Sequence, residues 1–446
     1  MSYFKKVLIA NRGEIARRII RTCKRLSIQT VAVYSEADKD ALFVREADEA
    51  VCIGPAPVKK SYLDMDNIIR AAKETGACAI HPGYGFLAEN GAFAERCTEE
   101  GFTFIGPSAS VIRLMGDKIA ARNQMQAAGI PIVPGVDHGL SSVEEAKRAA
   151  NEIGYPIMLK ASAGGGGIGM QIVHSDQELE KAFESTAQRA GSYFGDDTLF
   201  LEKYITSPRH IEVQIVGDSL GNLVHLWERE CSIQRRNQKI VEEAPSPFLD
   251  PQAREALCAA AVRGAASIGY TNVGTMEFIV DGQGEYYFLE MNTRIQVEHP
   301  VTEEITGVDL VEWQLKIAAG LPLDLDEIPL SPQGHSIECR LYAEDARTFM
   351  PSPGKIETLR LPDWARLEFA VTEGNQVTPF YDPMIGKIIT HGASRQEAIR
   401  KMKDALEQCV ISGIKNNLPL LASIMDDPAF QAGTYDTKFV ESALIK

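Results

Sequence analysis

The sequence predicts an α/β domain followed by α+β domains, and three observations carry that reading. The chain has 446 residues, more than one core covers, so two to four domains are expected. Its first hundred residues alternate short apolar runs with helical patterns, as a parallel sheet covered on both faces requires. Past Ile205 the pattern becomes hairpin-like strand pairs separated by turns.

Lys6 to Ala10 reads as a buried strand, Glu14 to Leu26 as an amphipathic helix and Thr30 to Tyr34 as a second strand. Asp66 to Glu74 is a helix and Cys78 to His81 a third strand. A Rossmann-like unit fits. Its first turn, Asn11-Arg12-Gly13-Glu14, lacks the GxGxxG run a dinucleotide needs, which argues against an NAD enzyme. After Gly106-Pro107 a helix spans Ser108 to Ala128 and stops at Gly129-Ile130-Pro131. A small unit with a glycine run follows to about Ile205. Strands are then expected at Arg209 to Ile215 and Leu223 to Glu230, a helix at Pro251 to Ile268, a hairpin from Gly274 to Met291 and a helix near Asp309 to Ala319. Pro322, Pro329 and Pro332 mark a linker, and the last hundred residues mix strands with a helix at Arg395 to Gln408. These breaks divide the chain into 1–115, 116–325 with a lid at about 131–205, and 334–442.

Composition is that of a globular protein: 45% hydrophobic, 24% charged, 7% aromatic. A formal net charge of −15 excludes a general nucleic-acid or anionic-membrane binder, although Arg235, Arg236 and Lys239 form a local basic reversal. The eight cysteines show no metal-ligand spacing and read as buried, reduced thiols. The apolar run Val7 to Ala10 is too short for a signal-peptide core and no run approaches a membrane span, so the cytoplasm is expected.

Three segments carry chemistry. Ile157 to Lys160 runs as a strand into Ala161 to Met170, where five glycines fall in six positions. Without Cβ atoms such a loop brings backbone N–H groups close to phosphate, and Lys160 adds an ammonium. It is not a Walker A loop, and its mobility suggests a lid. In the hairpin, Gly274 to Val280 and Glu285 to Met291 flank Asp281-Gly282-Gln283-Gly284. A two- or four-residue turn sets Val280 opposite Glu285 and Glu277 opposite Phe288. Glu290 then shares a face with Phe288, diagonal to Glu277 at about 7–8 Å, and Asn292 follows. Two carboxylates and an amide so placed call for a hard cation, Mg²⁺ or Mn²⁺. A three-residue turn would flip this register. Beyond the acids, Arg294 suits a planar oxyanion and Glu298 a general base. In Arg209 to Ile215, His210, Glu212 and Gln214 share a polar face.

Together these segments resemble the biotin carboxylases along essentially the whole chain. The matching text is KVLIANRGEIA, HPGYGFLAEN, RLMGDK, LKASAGGGG, LEKYI, PRHIEVQ, CSIQRR, EEAPSP, EMNTRIQVEHPVTE, ECRLYAED and PSPGKI. The resemblance implies a Rossmann-like N-terminal domain, an ATP-grasp domain with a swinging lid and a β-rich C-terminal domain. It implies that Lys118, Lys160 and His210 hold phosphates, with Gly166 and Gly167 in the lid. Glu202, Lys203, Tyr204 and Ile205 would line adenine through backbone hydrogen bonds, and Gln234 and Asn237 belong to the nucleotide site. Glu277, Glu290 and Asn292 would bind two Mg²⁺ or Mn²⁺. Lys239, Arg294, Gln296 and Val297 would surround bicarbonate, with Glu298 as base. Arg340 would stabilise the enolate-like form of biotin, and Tyr84 would border its ring. Two positions depart from the family: Ile168, where many members carry Arg, and Asn237, where His is common. Both are expected to shift ATP affinity or lid closure without abolishing activity.

No biotin-bearing lysine is expected here, since Lys403 in Arg-Lys-Met-Lys-Asp reads as a solvated helix lysine. The implied partners are therefore a separate biotin carboxyl carrier protein and carboxyltransferase subunits, in a homodimer, with no nucleic acid and no membrane. Acetyl-CoA carboxylase is the expected complex, and a pyruvate, propionyl-CoA or other acyl-CoA carboxylase the alternative. A different ATP-grasp ligase, joining a carboxylate to an amine, and a silent scaffold are the rival readings.

Overall fold

The structure is a computed structural model that describes residues 3–163 and 169–444. Five parallel strands open the chain: β1 (Lys6–Ile9), β2 (Gln29–Ser35), β3 (Glu49–Gly54), β4 (Ala79–His81) and β5 (Thr103–Phe104), in the order β3-β2-β1-β4-β5. Period-two alternation divides β1 between two cores. Val7 and Ile9 pack with Ile15, Ile19 and Cys23 of helix Gly13–Arg25. Leu8 packs on the other side with Ile68, Ile69 and Ala72 of helix Met65–Thr75.

The helix expected over Ser108 to Ala128 is two helices, Ala109–Gly116 and Lys118–Ala127. Asp117 is extended, and its carboxylate accepts from Ile119 N and Ala120 N, both at 3.0 Å. A side chain that caps the backbone ends one helix and starts the next, and the break makes Lys118 the first residue of the second. The small unit holds a three-stranded antiparallel sheet of β6 (Ile157–Ala161), β7 (Met170–Val173) and β8 (Leu199–Lys203), in the order β7-β6-β8, with its own core around Leu159, Leu179 and Leu201.

An eight-stranded antiparallel sheet dominates the rest. Its strands are β9 (Arg209–Gly217), β10 (Leu223–Arg235), β11 (Gln238–Ala244), β12 (Asn272–Val280), β13 (Tyr286–Asn292) and β14 (His335–Tyr342). After the short strands β15 (Gly354–Lys355) and β16 (Thr358–Arg360) come β17 (Arg366–Phe369), β18 (Gln376–Val377), β19 (Met384–Gly392) and β20 (Val410–Ser412). The sheet order is β13-β12-β9-β10-β11-β14-β19-β17, so β11 and β14 join the two halves of the chain edge to edge. Every residue of β9 is buried, so the polar side of His210, Glu212 and Gln214 is an interior face. Helix His299–Thr306 packs against β10, β11, β14 and β19 and covers part of that face.

The expected linker is an irregular stretch with a single 3₁₀ turn at Leu325–Glu327, in which Leu330 is fully exposed. All eight cysteines are free, but Cys52 and Cys78 are exposed rather than buried. Among the described residues no helix is long and apolar enough to cross a membrane.

Candidate active site

The acid pair sits on the β12–β13 hairpin, and its register differs from the expected one. Asp281 N donates to Glu285 O at 2.9 Å and Gly284 N to Asp281 O at 3.1 Å, so three residues make the turn. The ladder then pairs Val280 with Tyr286 and Phe278 with Phe288, one place off the expected register. A bulge next to Phe278 adds the extra residue Leu289 and sets Glu277 directly opposite Glu290, not diagonal to it. Phe288 turns into the core with Phe278, while Glu290 stands with Glu277. The three-residue turn breaks the argument from alternation, and the bulge restores its outcome.

Glu277 is enclosed by donors. Its Oε1 accepts from Asn292 Nδ2 and Gln296 Nε2, both at 2.7 Å, and from Lys239 Nζ at 3.0 Å. Its Oε2 lies 2.5 Å from His210 Nε2. Gln234 Nε2 donates to His210 Nδ1 at 2.8 Å, which leaves the Nε2 hydrogen for Glu277. Burial pushes the Glu277 carboxyl up, but Lys239 and His210 outweigh it and hold it well below the usual carboxylate range. Glu290 lies beside it, raised by burial and by the Glu277 charge. Among the described residues it has no hydrogen bond or ion pair. A residue pushed toward neutrality by an adjacent like charge is what a cation would correct. Glu277, Glu290 and the Asn292 amide oxygen form an all-oxygen donor set, so these residues fit a Mg²⁺ or Mn²⁺ site.

A second carboxylate anchors the other half. The chain leaves β13, passes Arg294 and Gln296, and enters helix His299–Thr306 at its N-cap, Glu298. The Glu298 side chain is fully buried. Its Oε1 accepts from Lys239 Nζ at 2.8 Å and its Oε2 from Arg340 Nη2 at 2.9 Å. Burial would raise this carboxyl, but Lys239, Arg340 and Arg229 outweigh it and hold it well below the usual range. Lys239 bridges three acids, reaching Glu212 Oε2 at 2.6 Å as well as Glu277 and Glu298. Burial alone would depress its ammonium, and the three carboxylates hold it well above the ordinary lysine value.

Arg294 donates to Asn292 Oδ1 and Gln296 Oε1, both at 2.8 Å. Val297 offers its carbonyl to Lys387 Nζ at 2.5 Å. Tyr84 sits between Gly83 and Gly85, whose φ values of +63° and +66° favour glycine, in a turn held by Asn11 Nδ2 donating to Pro82 O and Tyr84 O at 2.7 Å. Its hydroxyl donates to Glu14.

Lys160 of the small unit and Arg122 of helix Lys118–Ala127 both pair with Glu202. Burial and Lys160 push the Lys118 ammonium down, against Glu290. Along Glu202 to Ile205, Lys203 N donates to Pro134 O at 2.7 Å and Tyr204 N to Pro156 O at 3.1 Å. Those two N–H groups are taken, whereas no described hydrogen bond uses the N–H of Ile205. Gly166, Gly167 and Ile168 lie outside the described residues. Asn237 is exposed, in the two-residue β10–β11 turn where Arg236 and Asn237 have φ +48° and +63°. That left-handed position suits asparagine, whatever its contact with a nucleotide. Of the local basic reversal, Arg235 is buried against Glu344 and Lys239 points inward.

Several residues around the site went unread in the sequence. Glu89 accepts from Arg294 Nε at 2.8 Å and from Thr293 N at 3.2 Å. Arg229, fully buried, directs its guanidinium to Glu212, Gln214, Thr275 and Thr302. Glu242 and Lys387 flank Arg340. Each is a charged residue in a strand or loop, which reads as solvated until a second layer covers it. Lys403, in helix Arg395–Gln408, pairs with Asp426 at 2.5 Å.

Three family models match the chain in order. They are the biotin carboxylase N-terminal domain over residues 3–112, the carbamoyl-phosphate synthase L chain ATP binding domain over 117–326, and the biotin carboxylase C-terminal domain over 338–442. A biotin carboxylase of Halalkalibacterium halodurans is 60% identical over 445 residues, covering 99% of this chain and 98% of the relative. A pyruvate carboxylase subunit of Methanothermobacter thermautotrophicus is 52% identical, covering 98% of this chain and 90% of that one. The biotin carboxylase domain dimer of Hydrogenobacter thermophilus 2-oxoglutarate carboxylase, solved with MgADP, ADP and bicarbonate, superposes with a TM-score of 0.96 at 52% identity, covering 99% of this chain and 98% of that one.

Proposed function

The chain belongs to the biotin carboxylase family, and from that premise we propose that it uses ATP to activate bicarbonate and carboxylates biotin borne on a separate carrier protein. The observation that carries this reading is the buried Glu298 carboxylate, held between Lys239 at 2.8 Å and Arg340 at 2.9 Å. Lys239 belongs with the bicarbonate side and Arg340 with the biotin side, so one base serves the point where the two substrates meet.

Lys118, Lys160 and His210 hold the phosphates of ATP, and Gln234 keeps His210 in its orientation. Asn237 completes the nucleotide site. The segment Glu202, Lys203, Tyr204 and Ile205 lines the adenine, with the Ile205 N–H, which has no acceptor among the described residues, as a donor. Glu277, Glu290 and Asn292 would hold two Mg²⁺ or Mn²⁺, which would neutralise charge on the transferring phosphoryl group. Bicarbonate lies among Lys239, Arg294, Gln296 and the Val297 backbone. As it draws Lys239 away, and biotin draws Arg340 away, Glu298 loses the cations that depress its basicity. Glu298 then takes the bicarbonate proton. A bicarbonate oxygen bonds to the γ-phosphorus, the bond to ADP breaks, and carboxyphosphate forms. Carboxyphosphate splits into CO₂ and phosphate. That phosphate accepts the ureido N–H proton, and the nitrogen bonds to CO₂ while Arg340 holds the charge on the ureido oxygen. Tyr84 borders the ring.

Bicarbonate-dependent ATP hydrolysis that rises on adding free biotin is the expected result; a folded preparation without that rise would overturn the reading. The carboxyl acceptor we favour is acetyl-CoA, which carboxyltransferase subunits would convert to malonyl-CoA for fatty acid synthesis. The 52% identity to a pyruvate carboxylase subunit supports the alternative acceptor. Transfer of ¹⁴C-bicarbonate onto candidate carriers distinguishes them. A homodimer is expected, and light scattering reads it.

A further inference from the structure

Two carboxylates take no part in the chemistry above. Glu242 on β11 and Glu338 on β14 are direct cross-strand partners. Both are fully buried, and among the described residues no donor reaches any oxygen of either with hydrogen-bond geometry. Two residues along β14 from Glu338 stands Arg340, on the same face, while Ile337, Cys339 and Leu341 fill the core behind. Arg340 Nε lies 2.6 Å from Glu242 Oε1, an ion pair whose N–H is not aimed at the oxygen, and Nη2 donates to Glu298 Oε2 at 2.9 Å.

Opposed residues on adjacent strands have Cβ atoms about 4.5–5.5 Å apart, and two unscreened like charges at that spacing do not both persist in a dry interior. The groups facing Glu338 are Glu242 from β11, Lys387 from β19, Arg340 from its own strand and Glu298 from the start of helix His299–Thr306. Lys387 is committed elsewhere, to Val297 O at 2.5 Å and to Glu14 Oε1 at 3.4 Å. Arg340 contacts Glu242 and Glu298. The cations therefore go to Glu242 and Glu298, and Glu338 is left without one within ion-pair distance among the described residues. Burial pushes the Glu338 carboxyl well above the usual range against Lys387, and takes Glu242 to about 7 against Arg340.

We propose that Glu338 is a positioning residue for biotin carboxylation: kept as a neutral carboxylic acid, it leaves Glu242 as the acid that ionises beside Arg340 Nε, so the guanidinium stays turned toward Glu298 and the substrate. An ionised Glu338 would give Arg340 a third buried acid and draw it back along β14. The proposal rests on the assignment of Arg340 to the ureido oxygen, and its test separates the two.

The direct readout is infrared. At pH 8 the difference spectrum of wild-type protein minus E338Q shows the C=O stretch of a protonated carboxylic acid. This readout needs no turnover. Kinetically, E338Q, which mimics the neutral acid, keeps its KM for free biotin within about threefold of wild type. E242Q raises that KM by about tenfold or more, while bicarbonate-dependent ATP hydrolysis without biotin stays within about twofold. If E242Q does not fold, the E338Q spectrum and KM still decide. A wild-type minus E338Q spectrum without the band overturns the proposal, as does an E338Q variant with its biotin KM raised tenfold. Absence of any biotin-stimulated hydrolysis in the wild type would instead sink the assignment of Arg340 and leave the infrared result standing.

Discussion

Glu298 is one carboxylate asked to satisfy two cations, Lys239 and Arg340, while lying wholly out of water. Removing its charge leaves both cations facing neutral oxygen, yet no phosphate-binding residue moves. Glu298→Gln is therefore expected to cut turnover by about 10²-fold or more while leaving ADP binding nearly intact. Steady-state kinetics with calorimetric ADP titration checks this, and wild-type turnover in the variant would contradict the role of base. The carboxyl is held well below the usual range, so Glu298 stays ionised throughout neutral pH. Arg340→Gln removes the donor to the ureido oxygen and is expected to raise the barrier of the biotin-dependent reaction by roughly 3 kcal/mol, read as kcat/KM for free biotin.

At the scale of elements, β11 ties the large sheet to the C-terminal helices through Glu243. That carboxylate accepts from His335 at 2.6 Å, from Arg395 at 2.6 and 2.9 Å, and from Tyr435. Burial would raise it, but His335 and Arg395 outweigh that and bring it down to about 2. A carboxyl depressed on folding stabilises the protein fully above its unfolded value of about 4.3, and that stabilisation disappears as pH falls through the folded value. The contribution of Glu243, about 3 kcal/mol, should thus be complete at about pH 6 and decline between about pH 4 and 2. Urea unfolding of wild type and Glu243→Gln across that window tests it; a difference that does not shrink toward low pH would contradict it. The β12–β13 hairpin teaches a different lesson. Alternation alone does not set a register, because turn length and a bulge each move it by one residue. Here they offset one another at Leu289, and Glu277 still meets Glu290.

At the scale of the whole molecule, buried ion pairs join what the chain keeps apart. Arg18 of helix Gly13–Arg25 donates to Glu303 Oε1 at 2.7 Å and Asp309 Oδ1 at 2.8 Å, and Arg366 of β17 reaches Glu303 Oε2 at 2.5 Å. Breaking such a pair leaves an acid buried and underpaired, so Arg18→Ala is expected to cost about 3 kcal/mol in a urea titration; an unchanged midpoint would refute it. The α/β opening, the glycine run, the acid hairpin and, through the ordered motifs, the family are legible in the amino-acid order alone. Periodicity, turn residues and local text are properties of neighbouring residues, and they survive without a fold. That Lys239 serves three acids, that Arg294 rests on Glu89, and that Glu242 and Glu338 face each other inside the sheet follows from contacts between distant segments. A charged residue in a strand reads as solvated until another layer covers it. Helix His299–Thr306 supplies part of that layer from far along the chain, so burial, and with it the charge state of these acids, is set by long-range packing.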